Sequence, residues 1–182
     1  MKKTLSDTDI KNRRVLVRVD FNVPLTDGRI SDDSRIRAVI PTIEYLRAQG
    51  SRVILCSHLG RPEGKIVPSM SLQPVALQLS RLMEIEIGFV NDCIGETVSE
   101  AVSSLKDGEV LLLENLRFHI EEESNDPEFA RQLSDFADVF VNDGFAVAHR
   151  AHASTEGITH YLPSVAGLLM HRELEILGTL LE

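Results

Sequence analysis

The chain has 182 residues, 43% hydrophobic and 26% charged, enough for one large domain or two small ones with a buried core. Its formal net charge of −9 argues against nucleic acid or an anionic membrane as the main partner, because phosphate backbones select a basic face. No apolar run reaches membrane-spanning length, the opening MKKTLSDTDIKNRR lacks the apolar core of a signal peptide, and two cysteines are too few for a disulfide scaffold. Cys56 and Cys93 sit in apolar, strand-like surroundings without metal spacing, so buried thiols and a cytoplasmic location are expected.

The first predicted strand, Val15 to Val19, stops at Asp20-Phe21-Asn22, and Val23-Pro24 prevents the ladder from continuing because proline has no N–H to donate. Asp20 and Asn22 are either turn-formers or polar groups delivered to the rim of a sheet. Ser31 to Gln49 carries Ile36, Val39, Ile40, Ile43 and Leu46 on one helical face, and Gly50 ends it; Pro41 predicts a kink within it. Arg52 to Ser57 is the second strand. Ser71 to Met83 is a helix with Ser71 as N-cap and Pro74 in its tolerant first turn. Glu86 to Val90 and Glu109 to Leu113 are further strands, separated by a short helix over Glu96 to Leu105. Asp126-Pro127-Glu128 opens the next helix with a cap, an N1 proline and a first-turn acid. Val139 to Val141 is the fifth strand. Gly167 to Glu182 is an amphipathic helix with Leu174, Leu177 and Leu181 aligned.

Alternating strands and helices with apolar strands predict an α/β fold: three layers, α/β/α, a Rossmann-like parallel sheet with helices on both faces. Right-handed crossovers then put every strand C-terminus on one edge. That edge should receive Ser57-His58-Leu59-Gly60-Arg61, Glu114-Asn115-Leu116-Arg117 and the segment from Asn142 through Arg150 to His152, with Arg35 at the start of the first helix. Arg35, Arg61, Arg117 and Arg150 are expected to converge there, since the guanidinium fork matches carboxylate and phosphate geometry. A single surface arginine would mean only a solvated side chain.

Other motifs give less. No strand is followed by G-x-G-x-x-G. Gly60 to Ile66 resembles a phosphate loop but is one residue short between its glycines, and Ile66 stands where a metal-binding Ser or Thr belongs. His149 and His152 share helical spacing without a matching carboxylate or thiolate, so no metal site is expected. Glu121-Glu122-Glu123 reads as a solvated loop. An aspartyl-phosphate phosphatase is disfavoured because Asn22 stands where that chemistry wants a second acid.

With these residues assembled, the chain resembles the N-terminal domain of phosphoglycerate kinase over essentially its whole length. The carriers are RVDFNVPL (18–25), SHLGRP (57–62), ENLRFH (114–119) and AHRAHAS (148–154). The resemblance implies reversible phosphoryl transfer between 1,3-bisphosphoglycerate and ADP, giving 3-phosphoglycerate and ATP. It implies that Asp20 and Asn22 hold the substrate hydroxyl, that His58, Arg61, Arg117 and Arg150 clamp the distal phosphate, and that Arg35 is the catalytic cation nearest the transferring group. Beside a phosphate, His58 is expected to be charged. Residues 1–166 would form the glycerate-binding domain and 167–182 the start of an interdomain helix. Mg-ATP or Mg-ADP would bind a separate C-terminal domain, leaving no cofactor site in this chain. The family's usual NDAFGT is here Asn142-Asp143-Gly144-Phe145-Ala146-Val147, a departure next to Arg150. The competing expectation is a non-catalytic anion-binding or interaction module that kept the fold.

Overall fold

The computed structural model describes residues 4–180 and builds one sheet from six parallel strands. In chain order the elements are β1 (Arg14–Arg18), a two-stranded antiparallel hairpin of β2 (Leu25–Thr26) and β3 (Arg29–Ile30), α1 (Ser34–Ala48), β4 (Arg52–Cys56), α2 (Gln73–Met83) and β5 (Gly88–Val90). Then follow α3 (Glu96–Ser104), β6 (Val110–Leu113), α4 (Ile120–Glu123), α5 (Pro127–Ser134), β7 (Val139–Asn142), β8 (Ser164–Ala166) and α6 (Leu168–Leu180). The sheet order is β5-β6-β4-β1-β7-β8.

The three layers follow from strand alternation, which sends successive side chains to opposite faces. Val15, Val17, Val53, Leu55, Leu112 and Val141 pack under Ile36, Val39 and Ile43 of α1 and Val75 and Leu79 of α2. Leu16, Ile54, Leu111, Leu113 and Phe140 point the other way, onto Val98 and Val102 of α3 and Phe129 and Leu133 of α5. Both faces are covered, so the strand interiors are apolar rather than alternating, with polar residues only at strand ends. Truncating a side chain such as Phe140, which is fully buried between these layers, costs about 3–5 kcal/mol.

Most predicted elements form, with shifted ends. The first helix begins at Ser34, because residues 25–30 close into the hairpin just before it, and it runs through Pro41 without interruption. Gly50 follows its end with φ +73°, a left-handed conformation that only glycine adopts cheaply. Ser71 is not the N-cap of α2. That position is taken by Leu72; the Ser71 hydroxyl still accepts the Gln73 amide at 3.2 Å while donating to Glu114 Oε2, and Glu114 Oε1 accepts the amide of Leu72. Asp126 caps α5 as expected, accepting the Phe129 amide at 2.9 Å. The hairpin and β8 were not predicted; each is only two or three residues long and carries little periodicity. On α6, Leu174 is half-buried and Leu177 exposed, while Leu181 and Glu182 lie outside the described residues.

The chain leaves β1 toward β4 on one side and leaves β7 toward β8 on the other. The winding direction therefore reverses between β1 and β7. In open α/β sheets the crevice at such a reversal, outside the strand C-termini, is where ligands bind.

Candidate functional site

Arg18, the last residue of β1, is the side chain around which this edge is organised. It is 1% exposed, at the end of a strand whose three middle residues, Val15, Leu16 and Val17, are buried and apolar. A buried guanidinium needs acceptors for its donors. Nε donates to Ser154 Oγ at 2.8 Å, Nη1 to the Val19 carbonyl, and Nη2 to His58 Nδ1 at 3.1 Å. Arginine cannot accept, so His58 Nδ1 must, and the ring proton sits on Nε2.

His58 is thus held neutral. Burial, followed by the cations Arg18, Arg117 and Arg150, pushes its pKa down to about 2. The expected charged histidine is corrected on this ground: the surrounding guanidiniums already supply the positive charge, and a further one would repel them.

The loop after β4 is stapled to the loop after β6 by Asn115. Its Oδ1 accepts the Leu59 and Arg117 amides, and its Nδ2 donates to the carbonyls of Leu59 and Met70. This fixes Arg117, which is 4% exposed and donates from Nη1 to the Gly60 carbonyl at 2.8 Å. Its Nε lies 3.4 Å from Glu123 Oε1, close enough for an ion pair, but is buried without a hydrogen bond. Arg150 Nε is likewise buried and unpaired. Arg117 and Arg150 stand near enough to each other and to Arg18 that burial and mutual repulsion lower the Arg117 pKa, while Glu123 opposes the shift.

Glu122 balances this charge from below. It is fully buried, not solvated as the acidic run suggested, and only Glu121 of the three is exposed. One Glu122 oxygen accepts the Ser154 amide at 3.0 Å and the other the Ser154 hydroxyl at 2.5 Å. A continuous chain results, from Glu122 through Ser154 and Arg18 to His58. His152 Nδ1 lies 3.9 Å from the same carboxylate; burial, opposed in part by Glu122, lowers its pKa.

The remaining candidates sit beside this cluster. Asp20 Oδ2 accepts from Arg35 Nη1 at 2.5 Å, and its Oδ1 accepts the Asn22 amide in a local turn. Asn22 Oδ1 accepts the Gly60 amide, joining the end of β1 to the end of β4. Both readings of these residues are therefore met: they form a turn and they stand at the rim. Asp20 and Arg35 also line a cavity of about 260 Å³ with Asp143, Phe145 and Leu169. A roomier cleft of about 500 Å³ lies between the hairpin and α2 and is lined by none of these candidates. Arg61 is exposed and makes no hydrogen bond or ion pair among the described residues. So of the four arginines, Arg117 and Arg150 lie near enough to His58 to act on its charge, Arg35 is held by Asp20, and Arg61 is exposed on the loop.

Sequence reasoning passed over Arg18, Ser154 and Glu122. The available signal was Arg18 itself, a cation inside a buried strand, which demands partners. The glycine loop after β4 does not fit a nucleotide phosphate: the amides of Gly60, Gly64 and Lys65 are already given to Asn22 Oδ1 and to the carbonyls of Arg117 and Pro62. No helix among the described residues is long and apolar enough to cross a membrane.

The family model for phosphoglycerate kinase matches residues 5–182. The chain is 62% identical over 177 residues to the phosphoglycerate kinase of Moorella thermoacetica, covering 97% of this chain and 45% of that protein. It is 58% identical over 180 residues to that of Pelotomaculum thermopropionicum, covering 99% and 46%. It therefore spans about half the length of these relatives. Among solved structures, the phosphoglycerate kinase of Coxiella burnetii superposes with a TM-score of 0.88 at 38% identity, covering 98% of this chain and 44% of that one. That of Pyrococcus horikoshii gives 0.87 at 37% identity, covering 96% and 44%.

Proposed function

This chain belongs to the phosphoglycerate kinase family, and from that premise we propose that it is the substrate-binding half of such an enzyme, taking up 3-phosphoglycerate or 1,3-bisphosphoglycerate at the carboxyl edge of its sheet. The observation that carries this reading is the pair of buried Nε donors on Arg117 and Arg150, unsatisfied beside a neutral histidine in a chain of net charge −9. Buried donors without hydrogen bonds are costly, and a phosphate oxygen would satisfy them once the guanidiniums turn toward it.

Arg117, Arg150 and the Nε2–H of His58 hold the distal phosphate, with Arg61 swinging in from its exposed loop. The histidine contributes a hydrogen bond rather than a charge. Asp20 and Asn22 accept from the glycerate hydroxyl and so orient the reacting end. Arg35, released in part from Asp20, faces the phosphoryl group that transfers and offsets its developing negative charge. Such transfer depends on alignment and charge stabilisation more than on a covalent partner. When bound, the magnesium nucleotide of this family supplies or accepts that phosphoryl group. We assign it to the part of the longer family chains beyond the length matched here, since the glycine loop of this chain has its amides engaged.

Calorimetric titration of the chain with 3-phosphoglycerate tests the reading. Saturable 1:1 binding is expected, weakened more than about tenfold by Arg117→Ala, a charged hydrogen bond being worth about 1.5–3 kcal/mol. Arg35→Ala should weaken it less. ATP formation by the chain alone is not expected. A flat titration with folded protein would refute the assignment.

A further inference from the structure

Asp92 and Cys93, just beyond β5, face His119, which follows the turn after β6. The two strands are neighbours, with Val90 in register with Leu113, so their trailing loops meet. His119 Nε2 lies 2.8 Å from Asp92 Oδ1, which also accepts the Cys93 amide at 2.7 Å. The Cys93 sulfur is buried beneath this half-exposed pair, and the carboxylate oxygen, imidazole nitrogen and sulfur all lie within 4.8 Å of one another. The His119 ring is held by Phe129, with ring centroids 5.4 Å apart.

We propose that Asp92, Cys93 and His119 form a binding site for a single borderline or soft divalent cation, of the zinc, cobalt(II) or cadmium class. One thiolate, one imidazole and one carboxylate suit these ions, whereas calcium and magnesium want six or more oxygens. Tetrahedral zinc with ligand bonds of about 2.0–2.3 Å places its ligands about 3.3–3.6 Å apart. The present sulfur, nitrogen and oxygen need shifts of about an ångström to meet that, and the ion would part the His119–Asp92 hydrogen bond by entering between them. Three protein ligands leave a fourth position open to water on the exposed side of the pair.

The surroundings favour a cation. Glu114 and Glu122 join Asp92 in setting a negative field at Cys93. A thiol ligates as its thiolate, so the ion displaces the Cys93 proton to solvent on binding. No sequence spacing marks the site, because strand pairing rather than local sequence brings His119 to Asp92 and Cys93. The inference does not depend on the substrate reading above. The alternative is an ordinary surface His–Asp pair over an inert thiol.

Titration of the reduced chain with Co²⁺ decides. The expected result is one equivalent bound, with a near-ultraviolet thiolate-to-cobalt absorption that Zn²⁺ bleaches by competition. Cys93→Ser should abolish the band, and His119→Gln and Asp92→Asn should each weaken binding more than about tenfold, the scale seen when groups supporting a bound metal are removed. His119 and Asp92 are half-exposed, so their variants remain informative if Cys93→Ser fails to fold. Absence of the band in folded protein, or a band indifferent to His119→Gln and Asp92→Asn, would overturn the proposal.

Discussion

His58 and Glu122 carry the consequences that can be measured one residue at a time. The folded pKa of His58 lies near 2, below the value of about 6.5 for an unfolded histidine. As pH falls, the unfolded chain takes up this proton first. The histidine's contribution is complete above about pH 6.5 and is lost below it, by about 1.4 kcal/mol per pH unit. His152, also depressed, acts in the same direction. Urea unfolding at pH 7 and pH 5 should show this loss, and His58→Gln should show less of it; equal slopes in the two proteins would refute the account. For ligand binding, the wild-type and His58→Gln affinities for 3-phosphoglycerate should share one pH profile between about 6 and 8, since neither side chain titrates there. Glu122→Ala removes the carboxylate that balances buried Arg18 through Ser154 and should cost about 3–5 kcal/mol. Ser154→Ala, which leaves Arg18 Nε and Glu122 each short of one partner, should cost about 1–3 kcal/mol in the same unfolding experiment.

At the scale of elements, Gly144 and Val147, two of the positions that depart from NDAFGT, pack closely against each other. A Cβ on Gly144 would lie 2.9 Å from Cγ2 of Val147, which is buried. The backbone at Gly144 has φ −99°, so the constraint is space rather than conformation. Gly144→Ala should destabilise the chain, and should cost less when Val147 is also Ala; a double-mutant cycle without a coupling of about 0.5 kcal/mol or more would reject the pairing. Asp126→Ala should cost about 1 kcal/mol by uncapping α5. That cap was legible in the sequence, as were the apolar faces of α1 and α2 and every long strand, because each rests on local periodicity. The starts of α1 and α2 were not. A hairpin displaces one, and at the other Glu114, distant in sequence, joins Ser71 in accepting the first amides. Glu122 looked solvated for the same reason: its partner Ser154 is 32 positions away, and an acidic run does not reveal which member turns inward.

For the molecule as a whole, the parallel sheet placed Arg117, Arg150 and His58 together from topology alone, while Arg61 shows that a shared edge does not ensure contact. The cluster concentrates positive charge within an acidic chain, so 3-phosphoglycerate binding should weaken steadily with added salt, as calorimetry in rising sodium chloride would record. Both thiols should resist alkylation until the chain unfolds, Cys56 being pushed up to about 12 by burial. The sheet order has one more consequence, for synthesis. β1 lies at the centre, yet its partner β7 arrives some 124 positions later, the separation that also divides Arg14 from Asp138. While the ribosome is still making that intervening stretch, β1 must wait with one flank of its backbone unpaired. Such a nascent chain matures slowly, and the interval in which it can pair with the wrong neighbour is set by the rate of translation rather than by the stability of the finished fold.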